Sequence, residues 1–288
     1  MRTQRVAVAT CLAWPGLDDD GPELLAALAA QGLDVDVRAW DSDTDWAAYD
    51  LVVIRTTWDY WDRHEEYLAW TRSVPRLANA AEVVAWNTDK TYLRRLEAAG
   101  IPVVPTTWIE PGEAFTSPDH AFVVKPSVSA GARDTAAYEA GDPAAVSHVA
   151  DLHARGKTVM VQPYIAAVDT SGETAVLLFD GEVSHGARKS AVLTVGEGEA
   201  EIGSWSMTAT EPTDAEKELA QRVVEVAQSW GQDLLYARVD LLPGPVVIEL
   251  EVTEPSLFLG LAPGSATRYA QAVRRWVDRS TGTPTTPS

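Results

Sequence analysis

The chain has 288 residues, 46% hydrophobic and 23% charged, the composition of an ordinary globular protein with one elaborate domain or two, not of a disordered or membrane chain. Its 23 Lys and Arg against 42 Asp and Glu give a formal net charge of -19, which argues against nucleic acid and acidic membrane surfaces as partners, since both need a basic footprint. The single Cys11 rules out an internal disulfide and any multi-cysteine metal site, and fits a reducing, cytoplasmic setting.

The apolar stretch 6–14 is short and runs into Pro15-Gly16 and the acidic Asp18-Asp19-Asp20, so it reads as a buried first strand rather than a signal peptide. No other run approaches the ~18 apolar residues of a membrane span. Residues 5–11 are β-rich, 22–31 look helical with Pro22 in the first turn and Gly32 past the end, 35–40 are strand-like, and 51–54 form a near-continuous apolar strand. This alternation implies a small open parallel sheet. Ligands of such sheets sit off the carboxyl ends of the strands, which places Arg55, Thr56, Thr57, Trp58 and Asp59 at a binding edge.

A helix is expected over 88–99, stopped by Gly100 and Pro102. A strand at 121–124 leads into Lys125-Pro126 and a loop of small residues, 127–134; a helix over 143–155 precedes a strand at 159–162. Strands at 174–179 and 182–189 flank Asp180-Gly181, a strong hairpin signal. The longest helical pattern covers 213–230, strands at 235–241 and 246–252 are joined by Pro243-Gly244-Pro245, and a helix over 265–279 precedes a Ser/Thr/Pro tail, 281–288, expected to be disordered. The fold class is therefore α/β followed by α+β, with a cleft between the two.

Lysine is scarce, confined to Lys90, Lys125, Lys157, Lys189 and Lys217. Lys125 ends an apolar strand and precedes a small-residue loop whose backbone N–H groups and hydroxyls could close over phosphates; a surface lysine before an ordinary loop fits that segment equally well. Strand periodicity puts Arg238 with Asp240, and Glu249 with Glu251, on single faces of a hairpin. Acidic residues crowded on one face repel unless a cation sits between them, and hard oxygen ligands suit Mg²⁺ held with substrate phosphates. A solvated sheet face is the alternative.

The order Lys90, Lys125 with its loop, Val161-Gln162-Pro163-Tyr164-Ile165, Glu173, Arg188-Lys189, Arg238-Val239-Asp240 and Glu249-Leu250-Glu251 resembles the ATP-grasp superfamily of carboxylate–amine ligases over about residues 85–260. The resemblance implies an ATP-grasp fold: an N-terminal Rossmann-like domain at 1–86, a central lid subdomain at 87–164 and a C-terminal subdomain at 165–280, with the nucleotide between the last two. It implies that Lys90, Lys125 and the loop containing Ser129 contact the ATP phosphates, that Gln162, Tyr164 and Ile165 receive adenine, and that Glu173 holds the ribose. Lys189 would reach the transferred phosphate, Arg238 would stabilise charge at the acyl phosphate, and Asp240, Glu249 and Glu251 would bind Mg²⁺. Two departures stand out: Glu249-Leu250-Glu251 replaces Glu-x-Asn, leaving the third metal ligand open between Glu251, Thr253 and Glu254, and Pro163 stands where the hinge commonly has an acidic residue.

Within the superfamily, Ile54-Arg55-Thr56-Thr57-Trp58-Asp59-Tyr60, the 86–93 stretch and Glu249-Leu250-Glu251 with Glu254-Pro255-Ser256-Leu257 are similar to the group containing the D-cycloserine-forming cyclo-ligase. That similarity implies an ADP-forming enzyme that activates an amino-acid carboxylate as an acyl phosphate and forms an amide, as in cyclisation of an O-substituted D-serine. An intermolecular amino-acid ligase and a non-catalytic nucleotide-binding module are the alternatives. An amino-acid-like substrate would meet Arg55, Thr57, Asp59 and His185, with Trp58 and Trp86 nearby. The reading admits a homodimer. Gly-x-x-x-x-Gly-Lys-Ser/Thr, Gly-x-Gly-x-x-Gly, Gly-x-Ser-x-Gly and His-Glu-x-x-His motifs are absent from the sequence.

Overall fold

The computed structural model describes residues 2–196 and 206–280, together with the backbone of Gly198–Glu199; the expected tail at 281–288 lies outside the described residues. The N-terminal unit contains β1 (Gln4–Thr10), α1 (Gly21–Ala30), β2 (Leu33–Ala39), β3 (Leu51–Thr56), α2 (His64–Ser73) and β4 (Leu77–Ala78). Its sheet has the order β2-β1-β3-β4 and is parallel throughout. All six residues of β3 are buried, as a strand covered on both faces requires. Alternation sends Val6, Val8, Leu51 and Val53 into one core with α1, and Ala7, Ala9, Val52 and Ile54 into another with Trp40, Tyr67 and Trp70.

Two short helices follow, α3 (Ala81–Asn87) and α4 (Tyr92–Ala98), where the sequence suggested one helix over 88–99. Between them the Asp89 carboxylate accepts from the Thr91 N–H at 3.0 Å and the Lys90 N–H donates to the Ser127 carbonyl at 2.8 Å. These bonds hold a turn in place of a first helical turn, because Asp competes locally for backbone donors. Residues 81–98 span the expected division at 86, and Val83, Tyr92, Leu93 and Leu96 share a core with Leu219 and Val239 from the C-terminal part of the chain.

The second sheet uses β5 (Thr107–Ile109), β6 (Phe122–Pro126), β7 (Ala136–Tyr138) and β8 (Val159–Pro163), covered by α5 (Pro143–Ala154). After the one-turn α6 (Val168–Ser171), the third sheet begins with β9 (Glu173–Phe179) and β10 (Glu182–Lys189). β11 (Gly198–Glu199) returns to the second sheet, ordered β11-β7-β6-β8-β5. β12 (Met207–Thr210), α7 (Asp214–Gln228), β13 (Tyr236–Leu242), β14 (Val246–Glu251) and α8 (Ser265–Ser280) complete the chain, giving a third sheet ordered β12-β10-β9-β13-β14. Pairing in the second and third sheets is antiparallel.

The β9–β10 turn has Asp180 at φ 54° and Gly181 at φ 85°, the two left-handed residues that a tight two-residue hairpin demands. Thr213 and Glu216 form a reciprocal capping box at the start of α7, which defines that helix sharply. α8 folds back onto α1, so Tyr269, Ala270 and Val273 join Leu24 and Leu28 in one core. The N-terminal and C-terminal units therefore share buried surface, and loops from all three sheets meet at one cleft.

Candidate active site

The floor of the cleft is the β13–β14 ladder. In its register Arg238 faces Glu251 and Asp240 faces Glu249, so period-2 alternation delivers all four side chains to one face. Arg238 grips Asp240 through two bonds of 2.8 Å, from Nε and Nη2, and also donates to Glu251 and to the Ser256 carbonyl at 3.3 Å. Burial alone would lower the Arg238 pKa; Asp240 and Glu251 outweigh it and hold the guanidinium firmly charged.

Oxygen atoms of Asp240, Glu249 and Glu251 lie within 4.8 Å of one another. The group fits a hard divalent cation. Burial pushes the Glu251 carboxyl up to about 8 against the lowering effect of Arg238, and the Glu249 and Asp240 charges add to the rise. Of the alternatives for the third ligand, Thr253 is committed to Asn87 Oδ1 at 2.9 Å, and burial pushes the Glu254 carboxyl up to about 7, toward its neutral form.

Three lysines line the same cleft. Lys90, presented by the turn before α4, places Nζ 3.1 Å from Glu249 Oε1 and 2.9 Å from the Ser129 carbonyl. Burial raises the Glu249 pKa, but Lys90, Lys125 and Arg238 more than reverse this and keep it ionised. Lys125, at the end of β6, is pushed down to about 8 by burial. Lys189 stands 3.2 Å from Glu173 Oε2; the Glu173 and Asp240 charges overcome its burial and keep it protonated.

The small-residue loop after Lys125 borders the cleft from Ser129 to Arg133. Gly131, Ala132 and Asp134 all have positive φ, at 63°, 59° and 53°, uncommon for the two non-glycine residues and a feature that clusters at ligand-gripping loops. The Arg133 guanidinium lies 4.3 Å from the Trp61 ring centre, joining this loop to the N-terminal unit. At the other end Gln162, Tyr164 and Ile165 meet the apolar Val104, Val168, Leu242 and Ile248. Gln162 Nε2 donates to Thr106 Oγ1 at 2.9 Å, and the Tyr164 hydroxyl donates to the Leu193 carbonyl at 3.1 Å. The whole cleft holds about 450 Å³, within the range of small-ligand sites.

All twelve residues expected to handle nucleotide, metal or phosphate border this cleft: Lys90, Lys125, Ser129, Gln162, Tyr164, Ile165, Glu173, Lys189, Arg238, Asp240, Glu249 and Glu251. The four expected substrate contacts, Arg55, Thr57, Asp59 and His185, are not among the cleft-lining residues. Arg55, 1% exposed, donates to the Pro255 carbonyl at 2.6 Å and to Asp18 at 3.2 Å. The Thr57 hydroxyl pairs with Tyr67 at 2.9 Å, Asp59 accepts from Trp40 at 2.9 Å, and His185 is bound to Ser184 and the Leu257 carbonyl at 2.9 Å each. Trp86 is likewise turned away, its ring edge-on to Trp230 at 4.9 Å. These side chains brace the walls instead of facing the cavity.

Cleft residues that the sequence did not reveal include Trp14, Tyr60, Ser256 and Phe258. Phe258 sits at φ 51°, a left-handed conformation unusual for a bulky residue, with its ring 5.4 Å from the Arg238 guanidinium carbon. No sequence signal marks such a position.

Residues 6–79 match the model of the D-cycloserine synthetase DcsG N-terminal domain. Over 282 residues the chain is 36% identical to the cycloserine biosynthesis protein DcsG of Streptomyces lavendulae, covering 89% of this chain and 93% of that protein. The chain belongs to the DcsG family. The crystal structure of D-cycloserine synthetase DcsG superimposes on this DcsG-family chain with a TM-score of 0.87 at 31% identity, over 95% of this chain and 99% of that one. The D-alanine–D-alanine ligase of Bacillus anthracis shares the fold at 15% identity, with a TM-score of 0.63 over 97% of this chain and 98% of that one. The DcsG-family protein is thus an ATP-grasp carbon–nitrogen ligase that uses a nucleotide. Among the described residues no helix is long and apolar enough to cross a membrane.

Proposed function

We propose that the protein activates the carboxylate of an O-amino-D-serine-like amino acid with Mg·ATP and closes it to D-cycloserine. One observation carries the reading: the β13–β14 register gathers Arg238, Asp240, Glu249 and Glu251 on one face, in a cleft that three lysines also line. The similarity to DcsG supplies the substrate class.

In this reading Lys90, Lys125 and the loop from Ser129 hold the ATP phosphates, Gln162, Tyr164 and Ile165 form the adenine slot, and Glu173 meets the ribose. Asp240, Glu249 and Glu251 hold Mg²⁺, which would neutralise phosphate charge as the γ-phosphoryl moves. Lys189 reaches the transferred phosphate and Arg238 stabilises charge at the acyl phosphate, as one oxygen of the substrate carboxylate takes the γ-phosphoryl while ADP leaves. The aminooxy nitrogen then attacks the acyl carbon of the same molecule; the carbon–oxygen bond to phosphate breaks, phosphate departs with the electron pair, and the nitrogen loses one proton. Positioning and electrostatics supply the catalysis, and no nucleophilic side chain is needed. ATP use and the free, buried Cys11 support a cytoplasmic location.

The test is incubation with O-amino-D-serine, ATP and Mg²⁺, reading ADP, phosphate and the ring product by mass spectrometry. Equimolar ADP, phosphate and D-cycloserine are expected. A linear dipeptide would place the chain among intermolecular ligases, and ATP binding without turnover of any amino acid would make it a non-catalytic module.

A further inference from the structure

On the N-terminal side of the cleft, three aromatic residues and one acidic residue, Trp14, Trp58, Tyr60 and Glu254, line the cavity together. The Trp58 indole N–H donates to the Glu254 carbonyl at 3.2 Å, and Trp14 meets Trp58 edge-on with ring centres 5.8 Å apart. Burial pushes the Glu254 carboxyl up to about 7 while the Tyr60 hydroxyl favours its charged form, and the Tyr60 ring stacks on Tyr67 at 5.1 Å.

Trp14 is 51% exposed, although its backbone is firmly held. Its N–H donates to the Cys11 carbonyl at 3.0 Å, the two residues form a β-bridge, and its carbonyl accepts from the Thr10 hydroxyl. A tight turn therefore presents a large ring to the cleft. Tryptophan rings beside a carboxyl group suit a cation, through cation–π attraction and a charge-assisted hydrogen bond. Lys189 and Arg238 in the same cleft are suited to the opposite charge.

We propose that Trp14, Trp58, Tyr60 and Glu254 form the receptor for the α-ammonium group of the amino-acid substrate. This rests on the cyclo-ligase reading above and deepens it. In that reaction the α-nitrogen is not consumed: attack on its own acyl carbon would close a strained three-membered ring, so this group serves recognition and not bond formation. Held as an ammonium, it marks the substrate as an amino acid and fixes the carboxyl and aminooxy groups relative to the cleft.

The experiment compares O-amino-D-serine with 3-(aminooxy)propanoate, which keeps both reacting groups and lacks the α-ammonium. Each is titrated calorimetrically into wild type, Glu254→Gln and Trp14→Leu in the presence of Mg²⁺ and a non-hydrolysable ATP analogue. Wild type is expected to bind O-amino-D-serine at least about tenfold more tightly. Glu254→Gln should shrink that ratio to below about threefold, and Trp14→Leu should lower it by roughly two- to fivefold. Affinity for the analogue, measured on the same samples, reports an intact fold. A ratio near one in wild type, or one undiminished in both variants, overturns the ammonium receptor while leaving the cyclo-ligase reading in place. Failure of wild type to bind either compound overturns the substrate reading itself, and the receptor with it.

Discussion

Lys90 Nζ and Glu249 Oε1 lie 3.1 Å apart, which pairs a lysine suited to phosphate with a carboxylate suited to metal. The pair keeps both groups charged in a buried setting, since burial alone would neutralise each of them. Entry of Mg·ATP would exchange this ion pair for lysine–phosphate and carboxylate–metal contacts. Replacing Lys90 with Met should therefore weaken ATP binding by about 1.5–3 kcal/mol, roughly 10- to 150-fold, the range of a charge-assisted bond. Titration of ATP into the variant checks this.

Metal dependence follows from the three carboxylates on the β13–β14 face. Asp240→Asn and Glu249→Gln should each lower kcat by about 10²–10³-fold, the scale of losing a preorganised charge at the reacting centre, and should raise the Mg²⁺ concentration needed for half-maximal rate. Chelation of divalent ions should abolish wild-type turnover and added Mg²⁺ should restore it. Steady-state rates across a Mg²⁺ series provide the measurement.

Lys125 gives a pH dependence whose sign is fixed. Burial brings its free-protein pKa down to about 8, and bound phosphate, favouring the charged form, must raise it again. ATP affinity contributed by this lysine is thus complete below pH 8 and falls above it, by up to about tenfold per pH unit until the bound-state pKa is reached. Lys125→Arg, charged throughout that range, should flatten the decline. Affinity measured at half-unit steps across the alkaline range separates the two curves.

Arg55 is a positioning residue, joining Asp18 on one side to the Pro255 carbonyl on the other and so fixing the segment that carries Glu254 and Ser256. Arg55→Met should cost about 3 kcal/mol of stability, because a half-buried carboxylate loses its counterion and a buried carbonyl its donor. Urea unfolding measures the loss. Arg55→Lys, which keeps the charge but not the forked geometry, should recover part of the stability and still raise KM for the amino acid more than KM for ATP.

The metal face was legible in the sequence because strand period is simple: Arg238-Val239-Asp240 and Glu249-Leu250-Glu251 need only pair in register, and they do. Lys125 was legible because it ends an apolar run before a small-residue loop. The amino-acid side of the cleft was not. Arg55 finds the Pro255 carbonyl 200 positions away, and no local pattern distinguishes a buried brace from a ligand contact at a strand end. Trp14 looked like the tail of an apolar strand until the turn at Cys11 aimed it at the cleft, and the left-handed backbone of Phe258 has no signature in residue type. The strands β5, β7, β11 and β12, two to four residues each, are too short to show a period, and in α2 the buried positions Tyr67 and Trp70 are aromatic, which obscures the helical repeat.

The acyl-phosphate step is tested most directly by turnover of O-amino-D-serine labelled with ¹⁸O in its carboxylate. Transfer of the γ-phosphoryl to that carboxylate requires that one ¹⁸O leave with inorganic phosphate, accompanied by ADP and D-cycloserine retaining the other carboxylate oxygen. Unlabelled phosphate, or AMP and pyrophosphate in place of ADP and phosphate, would contradict the mechanism.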